Sequence, residues 1–172
     1  MAFEIRLLPD DGWAAFRDIR LEGLRREPTA FGSSAELEEG FGDAWFQQTL
    51  RTNFVFAALR DGAIVGVAAW RRAAVPKLAH VGSVWGMYVR PSERGRGTGA
   101  ALLRALIAHA AQSVEALKLS VVVDNGSAAR LYDRCGFVPY GVEKRTLKVG
   151  DRYYDTELRM LQLRVEPDRG GD

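Results

Sequence analysis

Apolar residues along this chain fall into two rhythms, and the elements change where the rhythm changes. Residues 3–7 alternate apolar and polar positions, the period of a half-buried strand. Pro9-Asp10-Asp11 breaks that pattern and supplies acidic groups at a helix start. Trp13, Phe16, Ile19, Leu21 and Leu24 then fall near helical spacing and predict a helix over 13–26, which Pro28 ends. The stretch 28–42 mixes Phe31 and Phe41 with Glu36, Glu38, Glu39 and several glycines, and reads as a mobile connection holding a short helical segment. Residues 43–51, with Trp45, Phe46 and Leu50, predict a second helix.

Two apolar runs follow, 54–59 and 63–70, joined by Arg60-Asp61-Gly62. Asp-Gly between such runs is a strong hairpin signal. Residues 79–89 form a third strand candidate ended by Pro91, and Leu102, Leu103, Leu106, Ile107 and Ala110 predict a helix over 97–113. A short buried strand over 117–123 and a short helix over 127–134 lead to Gly136. Residues 138–149 and 152–163 make a second hairpin turning at Gly150-Asp151. The tail 166–172, with Pro167 and two glycines, is expected to be disordered. The order of elements implies one mixed α/β domain over 1–165, with no internal repeat and no linker.

Composition narrows the class. At 172 residues, 47% hydrophobic and 27% charged, the chain is globular and the length of one domain. With 24 Lys+Arg against 22 Asp+Glu, no charge excess points to nucleic acid or an anionic membrane. The single cysteine, Cys135, cannot make an internal disulfide, which fits a reducing interior, and its place at a helix end reads as structural rather than nucleophilic. No apolar run approaches the roughly 20 residues of a membrane-spanning helix, and the first residues lack a signal pattern, so a cytoplasmic protein is expected.

The segment from Tyr88 to Ala100, Tyr-Val-Arg-Pro-Ser-Glu-Arg-Gly-Arg-Gly-Thr-Gly-Ala, joins a strand to a helix. Glycines 95, 97 and 99 remove side chains where backbone N–H groups could converge on an anion. The helix N-terminus adds about half a positive charge of dipole there. Arg94 and Arg96 can add charge-assisted bonds, so the turn suits a pyrophosphate, although a tight turn needing glycine for conformation alone is the plainer reading. A P-loop is excluded because no Lys-Ser or Lys-Thr follows the glycines. A dinucleotide-binding unit is a rival, since Asp124 stands about 25 residues after the last glycine. The glycine spacing does not give G-x-G-x-x-G, however, and too little chain follows for the remaining parallel strands.

Downstream, Asn125 can cap the next helix and Tyr132 lies two turns along it. Arg94-x-x-Gly97-x-Gly99 after Tyr88-Val89, then Asn125, then Leu131-Tyr132-x-x-x-Gly136-Phe137, together resemble the Gcn5-related N-acetyltransferase (GNAT) superfamily over about residues 3–163. The resemblance implies the GNAT α/β fold, a mixed central sheet with a splayed parallel strand pair and helices on both faces, binding acetyl-CoA in the gap.

By that correspondence the N–H groups of Arg94, Gly95, Arg96, Gly97, Thr98, Gly99 and Ala100 would hold the CoA pyrophosphate. Met87 and Val89 would pair with the pantetheine arm, the Met87 N–H would polarise the thioester carbonyl, and Asn125 would bond the cofactor. Tyr132 would protonate the departing thiolate, and a phenol with a pKa of about 10 stays protonated for that role. The amine would attack directly. Ser83 stands where relatives often carry a glutamate base, which leaves His80, three residues earlier, as a candidate. Glu36, Glu38 and Glu39 could steer a cationic amine, although a solvated helix face explains them too. His109 has no evident partner. The acceptor, a small-molecule or peptide amine, would be chosen by the first two helices, the 28–42 connection and the 149–151 turn. No metal is implied, and a homodimer is left open. The alternatives are a GNAT-like domain that binds CoA without turnover and the dinucleotide reading.

Overall fold

The structure, a computed structural model, describes residues 3–163. The expected tail over 166–172 lies outside them. Seven strands form one sheet in the order β1-β2-β3-β4-β5-β7-β6. β1 (Glu4–Leu7) leads through a short helical turn to α1 (Trp13–Arg26), α2 (Ala35–Gly40) and α3 (Asp43–Thr52). β2 (Phe54–Arg60), β3 (Ala63–Arg72) and β4 (Val81–Val89) then run as an antiparallel meander. α4 (Thr98–Ala110) crosses to β5 (Ala116–Val122), α5 (Gly126–Arg134) follows, and β6 (Val138–Val149) and β7 (Arg152–Gln162) close the chain.

Helices cover both faces, which is why β2 and β3 are almost continuously apolar. Phe56, Ala58, Ala68 and Trp70 face Leu102, Leu103 and Leu106 of α4. Val55, Ala57, Val67 and Ala69 face Phe16, Ile19 and Leu24 of α1 and Phe46 of α3. The Asp-Gly hairpin forms as its residue types dictate. Asp61 (φ 50) and Gly62 (φ 78) both take the positive φ that a two-residue type I′ turn requires.

Two local features of β4 create the gap that the site uses. Tyr88 pairs with Val67 and Trp85 with Ala69, so Gly86 and Met87 together oppose Ala68 in a β-bulge, with Gly86 at φ +67. β4 and β5 pair in parallel only through Val81, Gly82 and Ser83 against Ala116, Leu117 and Lys118. A Cβ at position 82 would stand 2.8 Å from Leu117 and 3.0 Å from Trp70, so glycine is what allows β5 to close in there. Beyond Ser83 the two strands have no register, and the β5-facing edge of β4 is left without a strand partner. The parallel pair is the only one among the described strands. A doubly wound dinucleotide sheet is therefore not formed.

Candidate active site

A cleft of about 370 Å³ opens between the diverging ends of β4 and β5. Its walls include Met87, Val89, Arg94, Gly95, Gly97, Thr98, Gly99, Ala100 and Asn125. Gly95 (φ 74) and Gly97 (φ 83) adopt the left-handed backbone that β-carbons resist, which turns the chain from β4 into α4. A Cβ at Gly99 would come within 3.2 Å of Leu131 and Met87, so the third glycine serves close packing. Among the described residues, the N–H groups of residues 95–100 bond no protein acceptor, and the helix hydrogen bonds begin with Ala101 to Gly97. A glycine turn running into a helix N-terminus, with Gly95, Gly97, Thr98, Gly99 and Ala100 lining the cleft, fits a pyrophosphate.

The side chains of the turn divide. Arg94 lines the cleft, but its guanidinium donates to Glu27 (2.7 Å) and to the Val89 carbonyl (3.0 Å). Arg96 is exposed and outside the lining. Glu27, Ala30 and Phe31 from the α1–α2 connection complete the wall, as do Ser127, Ala128, Leu131 and Arg134 of α5. Of these, the α5 set could have been found from the helical spacing after Asn125; the α1–α2 set carries no local signal.

Helix α5 explains the second motif in physical terms. Asn125 Oδ1 accepts the Ala128 N–H at 3.2 Å, capping the helix start. At its other end Phe137 N–H donates to the Tyr132 carbonyl and Gly136 N–H to that of Asp133, with Gly136 at φ +89. This is a Schellman cap, and the Tyr132–Phe137 ring contact at 5.9 Å is the apolar pair that accompanies it. Tyr132 is buried in the core and is not among the cleft-lining residues, to which α5 contributes Ser127, Ala128, Leu131 and Arg134. Burial pushes its phenol up to about 12, and the nearby charge of Arg159 opposes that rise. Its hydroxyl makes no hydrogen bond among the described residues.

A second pocket of about 620 Å³ adjoins the first, and Phe31 lines both. Leu24 and Arg25 of α1, residues 31–37 and the 147–150 end of the β6–β7 hairpin enclose it. The loop between the pockets is held by a buried ion pair. Arg20 Nε and Nη2 donate to both oxygens of Glu38, at 2.9 and 2.6 Å. The Arg20 guanidinium also lies over the rings of Phe31 and Trp85, at 5.0 and 5.5 Å. Glu38 therefore does not lie on a solvated face, contrary to the simplest expectation, because the α1–α2 packing supplies its partner. Glu39 pairs with Arg25, and Glu36 is exposed.

The remaining candidates lie elsewhere. His80 is exposed, just before β4, seven residues from Met87 and at the opposite end of the strand; its carbonyl accepts from Glu115 and Ala116. Ser83 occupies the last parallel pair with β5, outside the cleft lining. His109 does have a partner, since Trp70 Nε1 donates to its Nδ1 at 3.3 Å within a cluster of Phe54, Phe56 and Trp70. Cys135 caps α5 and packs on the core, and burial pushes its thiol up, away from nucleophilic use. Among the described residues no cluster could hold a metal ion and no helix is long and apolar enough to cross a membrane.

A splayed parallel pair, a glycine turn with free donors and a capped helix bearing Tyr132 are the marks of one enzyme class. The sequence profile of the Acetyltransferase (GNAT) family matches residues 13–137, and the chain belongs to that family, whose co-substrate is acetyl-CoA. The chain is 30% identical over 135 residues to the mycothiol acetyltransferase of Streptomyces scabiei, covering 77% of this chain but only 42% of that protein. It is 29% identical over 148 residues to the L-methionine sulfoximine/L-methionine sulfone acetyltransferase of Pseudomonas paraeruginosa, covering 82% of this chain and 83% of the relative. In fold it matches Salmonella typhimurium yncA, solved with its cofactor acetyl-CoA, at a TM-score of 0.80 and 20% identity over 98% of this chain and 99% of that one.

Proposed function

We propose that this chain transfers the acetyl group of acetyl-CoA to a primary amine by direct attack, with Tyr132 as the acid that protonates the leaving thiolate. The observation that carries the reading is the glycine turn over 95–100 at a helix N-terminus, five of whose residues line the cleft at the β4–β5 gap. A pyrophosphate held there would lay the pantetheine arm along the unpaired edge of β4, pairing with Met87 and Val89 like an added strand. Asn125 caps α5 through its side chain and would hold the arm from the opposite wall. The Met87 N–H, turned by the bulge at Gly86, would donate to the thioester oxygen as charge builds on it; one such donor is worth about 3 kcal/mol.

The amine enters from the second pocket, past Phe31, which lines both pockets. Nitrogen bonds to the carbonyl carbon, the carbon–sulfur bond breaks, and the sulfur takes the Tyr132 proton, which the phenolate regains from solvent. The amine gives up its own proton to water, since Ser83 offers no base and His80 lies at the far end of β4. No enzyme nucleophile is required, in keeping with the packed Cys135.

The test is to incubate the purified chain with acetyl-CoA and a panel of primary amines, including amino acids and short peptides, and to follow N-acetylated products by mass spectrometry. At least one amine is expected to be acetylated. Bound but intact acetyl-CoA with every amine would overturn the reading in favour of a CoA-binding domain without turnover.

A further inference from the structure

Arg159 lies on the face of β7 that also carries Asp155, Glu157 and Leu161, yet it is buried. It sits mid-strand, paired in register with Leu119 of β5 and Pro139 of β6, and only 5% of it is exposed. Burying a guanidinium is costly unless every donor finds a partner in good geometry. Here Nη1 donates to Asp133 Oδ1 (2.5 Å) and to the Ala129 carbonyl (3.3 Å), and Nε donates to Glu157 Oε1 (2.6 Å). Ala129 lies three residues before Tyr132 and Asp133 one after it. The two α5 contacts therefore bracket the turn that carries the phenol.

The charges of the cluster are not equally screened. The Asp133 side chain is 55% exposed and that of Glu157 27%, against 6% for Arg159. Water damps the field of the two carboxylates more than that of the cation, whose charge acts on the buried Tyr132. A phenol that gives up its proton there becomes an anion, and a fixed cation nearby stabilises it as it forms.

We propose that Arg159 is a positioning residue for acetyl transfer, fixing the turn of α5 that carries Tyr132 and setting a buried positive charge beside it. The inference rests on the reading of Tyr132 as the leaving-group acid. Lysine would retain the charge but not the bracketing bonds, which need the guanidinium fork.

The test is a double-mutant cycle with Arg159→Met, Tyr132→Phe and the combination, reading kcat and the acetyl-CoA Kd separately. Arg159→Met is expected to lower kcat by about tenfold or more while Kd changes less than threefold, with no further loss when Tyr132 is already Phe. Arg159→Lys is expected to recover part of the loss. Losses that multiply across the cycle, or a Kd that rises as much as kcat falls, would overturn the inference and leave Arg159 as packing for the helix. If Arg159→Met does not fold, Arg159→Lys carries the same cycle, with a smaller loss that again vanishes beside Tyr132→Phe. Full turnover in Tyr132→Phe alone would remove the acid reading and this inference with it, an outcome distinct from losses that multiply.

Discussion

Tyr88 and Tyr132 are both pushed up to about 12, for different reasons and with different consequences. At Tyr88 burial is joined by a hydrogen bond from the phenol to Glu22 Oε1 (3.0 Å), whose other oxygen takes Arg90. Burial works to raise Glu22, but those two bonds outweigh it and hold the carboxyl below its ordinary range. Tyr88 is thus a structural phenol, locked to α1, where Gly23 leaves room for its ring: a Cβ there would stand 2.9 Å from Tyr88 Cγ. Tyr132 has a free hydroxyl, and its protonated form is the one a leaving-group acid needs. Tyr132→Phe is expected to cut kcat by about a hundredfold while calorimetry shows acetyl-CoA affinity within threefold. Equal turnover would remove Tyr132 from the chemistry. Stability has its own pH dependence. In the unfolded chain both phenols ionise near pH 10, whereas folded they stay neutral to about pH 12, so the folded state holds more protons between those values. The contribution of these two phenols to urea resistance is therefore expected to be constant below about pH 10 and to fall as pH rises beyond it, with a shallower fall in Tyr132→Phe.

The α1–α2 pair and the β4–β5 pair show how much of an element's role its own residues announce. The helix over 13–26 and the Asp-Gly hairpin were legible because their determinants are local: a repeat of apolar side chains, and two residue types that accept positive φ. The glycine turn and the Asn125 cap were legible for the same reason, whereas the Tyr132–Phe137 contact that closes α5 emerged only in the structure. Arg20 was not, because it reads as a polar position on a helix, and its partner Glu38 lies 18 residues away on another helix. The bulge at Gly86 and the inclusion of Phe31 in both pockets depend on strands and loops far apart in sequence, so no local pattern encodes them. Removing one member of the buried pair leaves the other charge stranded. Arg20→Met is expected to cost about 3–5 kcal/mol in urea unfolding, and the double change Arg20→Met, Glu38→Leu to recover most of it. A double variant as unstable as the single would show that the pair's geometry, not the stranded charge, is what α2 requires. On β4, Gly82→Ala is expected to cost about 1–3 kcal/mol, since its new methyl meets Leu117 and Trp70. An unchanged unfolding midpoint would mean that β5 does not approach so closely.

At the scale of the molecule, the sheet is antiparallel among the described strands except between β4 and β5, which then separate. Three parallel pairs tie β4 to β5 at one end, and the bulge and the cleft lie at the other. Helices α1 and α3 brace β4 from one face while α4 and α5 brace the gap from the other, so the opening is built into a rigid frame. The near balance of 24 basic and 22 acidic residues conceals this local arrangement, in which free N–H donors and a helix dipole face one cleft. Everything proposed about the reaction rests on acetyl-CoA occupying that cleft by its pyrophosphate. The most direct test is calorimetric titration of acetyl-CoA into the native chain and into Gly97→Asp. That change forces a side chain onto a φ of +83 and sets a carboxylate among the donors. The native chain is expected to bind one acetyl-CoA and the variant at least tenfold more weakly, with folding checked by circular dichroism. Equal affinity in a folded Gly97→Asp variant would contradict the account.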